Sequence, residues 1–319
     1  MVLSMTACAG NTAETTSAAA KSQETAADTA SKAEETTGAE ASESETAAKA
    51  EGTTYKIGVL QLVQHTALDA ANDGFIAALD DAGIAYEVDQ QNASGDQSAC
   101  QTVASKFANE KKDLILAIAT PAAQAMVGAV EDTPVLITAV TDPAESGLVD
   151  TNEKPGANVT GTSDLTPVKE QIDLLKQLVP EAKTVGVLYC SAESNSKIQA
   201  DMAKEAIAAA GMESKEYTVS SSNEIQTVVQ SMVGAVDAVY APTDNVIAAG
   251  MATVGMVAGD NNLPVICGEA GMVQNGGLAT YGIDYYQLGY MTGQQAVKIL
   301  TEGASPADMP IEYLPAEKC

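Results

Sequence analysis

Lys56-Ile57-Gly58-Val59-Leu60 and Thr184-Val185-Gly186-Val187-Leu188 decide the fold of this chain. Each is a short apolar run with glycine at its centre. Each is followed by a polar loop, an Ala-rich amphipathic stretch, a glycine stop and a second strand-like run. That second run is Tyr86-Glu87-Val88 in the first copy and Tyr217-Thr218-Val219 in the second copy. Each copy therefore predicts a β-α-β unit, which is the building block of a parallel sheet covered by helices.

Further strand candidates recur at regular intervals, with helical patterns between them. They are residues 113–118 and 134–138 after the first copy, and residues 235–240 and 263–267 after the second. Near-continuous apolar runs of this kind are typical of strands covered on both faces. The sequence thus predicts an α/β fold of two doubly wound parallel-sheet lobes joined by a multi-strand hinge. Such sheets bind ligands beyond the carboxyl ends of their strands, here in the cleft between the lobes.

Two strand-like stretches, residues 158–163 and 278–283, are predicted to be crossings between the lobes, and the segment from Met309 is expected to return to the second lobe. Hinges built from such crossings let two lobes close around a ligand. The expected division is lobe one from residues 54–160 and 281–303, and lobe two from residues 161–280 and 304–319.

The first residues resemble the end of a bacterial lipoprotein signal. Small residues precede Cys8, and the apolar part is too short for a complete signal, so residues 1–8 are interpreted as a truncated signal with Cys8 as the lipidated residue. Residues 9–53 are almost entirely Ala, Thr, Ser, Glu and Lys, a composition that predicts a disordered acidic linker. We therefore expect an extracytoplasmic protein, lipid-anchored to the bacterial cell membrane.

Charge excludes some partners. The net charge of −27 argues against nucleic acid as a partner, because phosphate binding requires a basic surface. All sixteen basic residues are lysines, so no arginine can clamp a ligand carboxylate or phosphate. An anion would have to be held by lysine, by hydroxyl groups or by N–H groups at helix N-termini.

Polar residues cluster where the predicted strands end. The turn Ser194-Asn195-Ser196 begins a predicted helix and could bind an anion or only cap the helix. Asp244 is the best candidate for a ligand ammonium group, with an N-cap as the equal alternative. Glu269 is a possible second acidic contact. His65, the single histidine, could line the cleft or lie in an ordinary loop.

The full set of predicted ligand contacts comes from equivalent loops of the two copies. It comprises His65, Thr66, Thr120, Pro121, Thr141, Asp142, Glu193, Ser194, Asn195, Ser196, Thr243, Asp244, Asn245, Gly268, Glu269 and Asp284.

Motifs of catalysis are missing from the sequence. Gly58 is not followed by the spacing of the dinucleotide fingerprint, and no nucleophile elbow is present. No cysteine spacing resembles a zinc site. We therefore expect no enzyme activity, no catalytic residue, no metal and no cofactor.

Several segments together carry a family resemblance. They are Thr141-Asp142-Pro143-Ala144-Glu145-Ser146-Gly147-Leu148-Val149, Asn158-Val159-Thr160-Gly161-Thr162-Ser163-Asp164, Glu193-Ser194-Asn195-Ser196 and Tyr240-Ala241-Pro242-Thr243-Asp244-Asn245. From about Tyr55 onward the chain resembles the ABC-transporter substrate-binding lipoproteins of the tryptophan/tyrosine-uptake type.

This resemblance implies the type I periplasmic-binding-protein fold. It also implies a monomer that hands its ligand to a membrane permease driven by an ATPase. The ligand would be an amino acid, with aromatic amino acids favoured. Its carboxylate would lie at the Ser194-Asn195-Ser196 turn and its ammonium at Asp244, with Thr120, Thr141 and Glu269 as neighbouring contacts.

The chain has no tryptophan and only Phe75 and Phe107 as phenylalanines, so branched amino acids, sugars and nucleosides stay open as ligands. A ligand sensor without transport is a further alternative, and a two-lobed transferase is a weaker one.

Overall fold

Six parallel strands form the larger of two sheets. The structure, a computed structural model, describes residues 52–315, so Cys8 and nearly all of the predicted linker lie outside the described residues. The strands of this sheet are β1 (Tyr55–Gln61), β2 (Tyr86–Asn92), β3 (Leu114–Ile118), β4 (Val135–Val140), β5 (Val159–Ser163) and β10 (Glu312–Tyr313). Their order across the sheet is β10-β5-β4-β3-β1-β2.

The smaller sheet contains four parallel strands in the order β7-β6-β8-β9. They are β6 (Thr184–Cys190), β7 (Glu213–Val219), β8 (Ala238–Ala241) and β9 (Val265–Cys267). In both sheets the glycine-centred strand, β1 or β6, lies between the strands that follow it in its own copy. Two parallel sheets with the same internal order confirm the predicted α/β fold.

The helices divide between the two sheets, and each sheet with its helices is called a lobe below. Lobe one carries α1 (Thr66–Asp81), α2 (Gln97–Glu110), α3 (Thr120–Val127) and α10 (Tyr285–Glu302). Lobe two carries α4 (Val168–Leu178), α5 (Ser194–Ala209), α6 (Ile225–Met232), α7 (Asn245–Ala249), α8 (Met251–Asp260) and α9 (Ala270–Gln274).

The central glycines of β1 and β6 have the same packing role in the two lobes. A Cβ atom at Gly58 would lie 2.8 Å from the ring of Phe107 on α2. A Cβ atom at Gly186 would overlap the end of the Met232 side chain on α6. Because only glycine leaves this space, a helix can press its largest apolar side chain onto the strand. The repeated glycine is therefore a packing requirement in both copies.

Helix α10 is fixed to lobe one by close contact with α1. Gly74 lies against the backbone of Tyr286, and Gly289 lies against the backbone carbonyl of Ala71. Gly293 in turn faces Phe75 and Ala78. Small residues at each crossing point let the two helix backbones approach closely. This contact holds the start of α10, and with it Tyr285, at a fixed place beside the sheet.

The end of the chain does not return to lobe two as expected. Strand β10 pairs with β5 at the edge of the six-stranded sheet. The Thr160 hydroxyl donates to the carbonyl of Met309 at 2.7 Å, and the backbone N–H of Ile311 donates to the carbonyl of Asn152. Strand β5 itself belongs wholly to the larger sheet, whereas the expected boundary divided it after residue 160. An open edge beside β5 offered backbone groups that the last segment satisfies.

The second predicted crossing contains little strand. Between α9 and α10 the chain makes one isolated bridge, from Ala279 to Ile266, and otherwise runs without regular structure. The first predicted crossing, residues 158–163, is almost entirely strand β5 of the larger sheet, and the connection to lobe two, called the first crossing below, is the short irregular segment that begins at Asp164. Within residues 52–315, no helix is both long and apolar enough to span a membrane.

Candidate functional site

A small cavity lies between the carboxyl ends of the two sheets. Its volume is about 10 Å³, which is room for one water-sized group. Side chains from both lobes and from the first crossing line it: His65, Leu68, Ala139, Asp164, Asn195, Thr243, Asp244, Asn245, Ala248, Glu269 and Tyr285. The lobes are therefore closed on each other, and a larger ligand needs them to open and the lining side chains to rotate.

His65 joins lobe one to lobe two. It precedes α1 and its Nε2 atom lies 3.3 Å from Oδ1 of Asn245. The amide of Asn245 points its nitrogen at Glu193, so its oxygen is the acceptor and His65 Nε2 carries the proton. Nδ1 is then a bare acceptor, and it has no hydrogen-bond partner. Burial lowers the pKa of His65, which keeps the ring neutral near pH 7.

Glu193 occupies the space in front of α5 where the sequence suggested a ligand carboxylate. Its Oε2 accepts from Nδ2 of Asn245 at 2.7 Å and from Nδ2 of Asn195 at 3.2 Å. Burial, together with the charge of Asp244, raises the pKa of Glu193 to about 7. Ser196 is fully buried beside this pair, and the Ser194 hydroxyl accepts from Gln124 of lobe one. The turn at residues 194–196 is thus largely filled by its own side chains and by Glu193.

The Asp244 side chain accepts hydrogen bonds from backbone N–H groups of lobe two. Its Oδ2 accepts from the N–H of Cys190 at 2.5 Å, and its Oδ1 accepts from the N–H of Ile247 at 2.8 Å as the cap of α7. The residue is 1% exposed, and burial raises its pKa. Asp244 lines the cavity, but each of its oxygens already has a partner. Of the two readings left open by the sequence, the helix cap is the one that the contacts show.

Glu269, like Asp244, both lines the cavity and caps a helix. It follows β9, lines the cavity and caps α9 by accepting from the N–H groups of Gly271 and Met272. Burial raises its pKa, with Asp164 as a nearby like charge. The preceding residue, Gly268, lies against the backbone of Thr243, where a Cβ atom would overlap the Thr243 nitrogen. Gly268 thus brings the ends of β8 and β9 together behind the cavity.

Asp164 and Tyr285 line the cavity although the sequence did not single them out as ligand contacts. Asp164 is 4% exposed, and its Oδ2 accepts from the Tyr285 hydroxyl at 2.8 Å. Its Oδ1 has no hydrogen-bond partner. Burial raises the pKa of Asp164 to about 6. The signal available in the sequence was its position directly after a strand, at a crossing between lobes.

Thr141 takes part in a second contact between the lobes. Nε2 of Gln199, on α5, donates to the Thr141 hydroxyl at 2.9 Å and also to the hydroxyl of Thr243. The Thr141 carbonyl accepts from Ser163 of β5 at 2.7 Å. Gln199 therefore ties the loop after β4 to the loop after β8. This glutamine could not be singled out from the sequence, because it lies inside a helical pattern.

The other predicted contacts lie outside the cavity lining. Thr120 and Pro121 are buried in the first turn of α3, and the Thr120 hydroxyl is unpartnered. Asp142 holds its own turn by accepting from the N–H groups of Ala144 and Glu145. Thr66 packs against Gly271, and Asp284 is an exposed cap of α10 that accepts from the N–H of Gln287.

The strand ends of lobe one carry backbone strain beside the cleft. Ala119, after β3, has φ +83°, and Ala139, within β4, has φ +55°. Alanine pays for such left-handed conformations, which glycine adopts freely. Ala139 lines the cavity and marks an irregularity in the pairing of β4 with β5.

Two parallel-sheet lobes closed over a polar cavity define a binding protein of the type I periplasmic class. The family model described as ABC transporter substrate binding protein matches residues 56–318, and the chain belongs to that family. It is the substrate-binding component of an ABC transporter. Proteins of this class bind their substrate without converting it and work outside the cytoplasm.

Relatives and solved structures agree with this assignment. The chain is 46% identical over 262 residues to the tyrosine-binding protein of Clostridioides difficile (strain R20291), covering 81% of this chain and 76% of the relative. It is 40% identical to the ABC domain from Streptococcus pneumonia whose crystal structure is in complex with L-Trp. That match has a TM-score of 0.80 and covers 82% of this chain and 90% of that chain.

A third comparison concerns the position of the lobes. The ligand-free, open structure of a substrate binding protein with adhesive properties from Clostridium difficile is 48% identical to this chain, over 82% of it and 89% of that chain. Its TM-score is only 0.62, below the 0.80 of the less similar complex with L-Trp. The structure of this chain is therefore more similar to that of the complex with L-Trp than to the ligand-free, open structure.

Proposed function

We propose that this chain is the receptor of an ABC importer for an α-amino acid, with tyrosine or tryptophan as its ligand. The observation that carries the proposal is the charge of the cavity. Asp164, Asp244 and Glu269 line it, Glu193 lies directly behind it, and no lysine is among the lining residues. Buried carboxyl groups without a basic partner favour a cationic ligand group, and every amino acid carries an ammonium.

Once the lobes open, the residues around the cavity can make room for an aromatic side chain. Ala139 and Ala248 leave space on opposite lobes, and the rings of His65 and Tyr285 supply flat surfaces. Phe75 and Phe107 take no part, since both are fully buried in the core of lobe one. Because a ligand ring can stack on His65 and Tyr285, the scarcity of aromatic residues in the sequence does not exclude an aromatic ligand. The tyrosine and tryptophan of the similar proteins agree with this choice.

A thermal and calorimetric screen tests the proposal. Purified protein is titrated with the twenty L-amino acids, myo-inositol, ribose and adenosine. L-tyrosine or L-tryptophan should stabilise the protein by about 3 kcal/mol at a hundredfold excess over its dissociation constant. A response to L-tyrosine or L-tryptophan without a response to L-leucine would show that the site prefers aromatic to branched side chains. Stabilisation by the sugars or the nucleoside alone, with no response to any amino acid, would refute the proposal.

We further propose that Cys8 carries a lipid and that the acidic segment after it tethers the folded part to the membrane, next to the permease and ATPase. The sequence before Cys8 supports this proposal. Protein expressed in bacteria behind a complete lipoprotein signal should partition into detergent, and the Cys8→Ser variant should stay in the aqueous phase. Equal partitioning of the two forms would contradict the anchor.

A further inference from the structure

Three acceptor atoms around the cavity have no hydrogen-bond partner. They are Oδ1 of Asp164, Oδ1 of Asn195 and Nδ1 of His65. All three residues line the same water-sized space, and they come from the first crossing, lobe two and lobe one in turn. Buried acceptors are nearly always paired in folded proteins, so three unpaired ones around one space point to a donor group that belongs there.

The other carboxyl groups of the site are already engaged. Asp244 accepts from the N–H groups of Cys190 and Ile247, and Glu269 caps α9 with both of its oxygens. Glu193 is held by amide groups within lobe two. Among the carboxyl groups that line the cavity in the described part of the chain, only that of Asp164 has an oxygen without a hydrogen-bond partner.

Asp164 is also held in a fixed orientation. The Tyr285 hydroxyl donates to Oδ2, and the backbone N–H of Asp164 donates to the carbonyl of Val140 at 3.1 Å. The Thr141 hydroxyl, like that of Tyr285, also interacts with the Asp164 carboxyl group and lowers its pKa, although Oδ1 makes no hydrogen bond of ordinary geometry. Tyr285 is itself fixed by the contact of α10 with α1. Elements of lobe one therefore hold the Asp164 carboxyl group in place beside the cavity.

We propose that Asp164 binds the α-ammonium group of the ligand through Oδ1, with Asn195 Oδ1 and His65 Nδ1 as the two further acceptors. An ammonium has three N–H donors, and the cavity offers three unpaired acceptors. This assignment rests on the proposed amino-acid receptor function and replaces Asp244 as the cation-binding residue. Since the acceptors come from both lobes, an ammonium bound there also draws the lobes together.

The test compares L-tyrosine with 3-(4-hydroxyphenyl)propionate, which keeps the ring and carboxylate but lacks the amine. In Asp164→Asn, affinity for L-tyrosine should fall at least about 30-fold, because a buried charge loses its partner. Affinity for the amine-free analogue should stay the same or rise. The matched control is Asp284→Asn, an exposed helix cap outside the cavity, which should leave both affinities unchanged.

A second variant keeps the test independent of the folding of Asp164→Asn. His65→Phe retains a ring but removes both the buried Nδ1 acceptor and the Nε2 contact with Asn245. The lost contact between the lobes should weaken both ligands alike, and the lost acceptor should weaken L-tyrosine several-fold more than the analogue. Equal losses for both ligands in Asp164→Asn would show a structural role and overturn the assignment. Wild-type protein that binds the analogue as tightly as L-tyrosine would overturn it too.

The wild-type titration separates this inference from the proposed function. If the protein binds neither tyrosine nor tryptophan but binds another α-amino acid, the proposed ligand is wrong, and the Asp164 comparison is made with that amino acid and its amine-free analogue. If it binds no α-amino acid, both proposals fail.

Discussion

Asp244 connects the end of β6 to the start of α7 through two buried hydrogen bonds. Replacing it by alanine leaves the N–H groups of Cys190 and Ile247 without acceptors inside lobe two. We expect Asp244→Ala to lower the free energy of unfolding of the ligand-free protein by about 2 kcal/mol, measured by urea denaturation. Asp284→Ala, which removes an exposed cap, should cost less. Equal losses in the two variants would contradict the buried role of Asp244.

Glu193 makes the stability of the ligand-free protein depend on pH. Its pKa is raised to about 7 by burial and by Asp244, against about 4.5 in the unfolded chain. The folded form therefore holds a proton that the unfolded chain releases, and this contribution is full below pH 4.5 and is lost as pH rises toward 7. His65 opposes it, because a lowered pKa costs stability as pH falls below about 6.5.

Comparing the wild type with Glu193→Gln separates the pH dependence that is due to Glu193 from that due to His65. Between pH 5 and pH 7.5 the free energy of unfolding of the wild type should fall more than that of Glu193→Gln. Glutamine keeps an oxygen for Asn245 but cannot ionise. Urea denaturation at the two pH values measures both slopes. Parallel slopes would show that Glu193 does not change its proton between the folded and unfolded states.

Sequence reasoning named several residues that line the candidate cavity, but not the contacts that each of them makes. Asp244, Asn195 and Glu269 were predicted because polar residues at the carboxyl ends of parallel strands meet at one edge. Whether a carboxyl oxygen is free depends on which backbone N–H groups face it, and this is decided by packing. Asp164 was overlooked for the same reason, since nothing in the sequence says that its partner Tyr285 leaves Oδ1 unpaired.

Gly186 makes a sharp prediction about how elements pack. A methyl group at this position would overlap the flexible end of Met232 of α6, which is fully buried and must shift, so Gly186→Ala should lower the free energy of unfolding by about 1 kcal/mol. The control is Gly259→Ala near the end of α8, where a Cβ atom meets nothing within 4 Å. That change should be neutral or stabilising. Thermal unfolding of both variants measures the contrast, and equal effects would remove the packing argument.

The order of strands and helices was predictable because each copy repeats one local pattern. The apolar runs and glycine stops specify β-α-β units without reference to the other lobe. The end of the chain was not predictable in this way. The two residues of β10 pair with an edge strand, and their position depends on that open edge and on contacts such as Thr160 with Met309. Such contacts leave no periodic pattern in the sequence.

The lobes of the closed molecule meet largely through polar side chains. His65 reaches Asn245, Gln124 reaches Ser194, and Gln199 reaches Thr141. Polar contacts of this kind can be exchanged for water when the lobes separate, so closure costs little and is reversible. The buried carboxyl groups of the cavity oppose closure at neutral pH unless a cation enters with them. Ligand charge and lobe closure are thereby coupled.

A variant at Gln199 tests this coupling, and Gln199 is not among the residues that line the cavity. Its amide links Thr141 of lobe one to Thr243 of lobe two, and the residue is fully buried. Gln199→Ala should weaken L-tyrosine binding about 5- to 30-fold, because the closed form loses a bridge worth about 1–2 kcal/mol. Small-angle X-ray scattering at a few times the wild-type dissociation constant should show a radius of gyration larger than that of the wild type, because less of the variant is bound and closed. Gln97→Ala removes an exposed contact between the lobes and should change neither quantity appreciably. A Gln199→Ala protein that binds and closes like the wild type would show that the bridge accompanies closure without stabilising it.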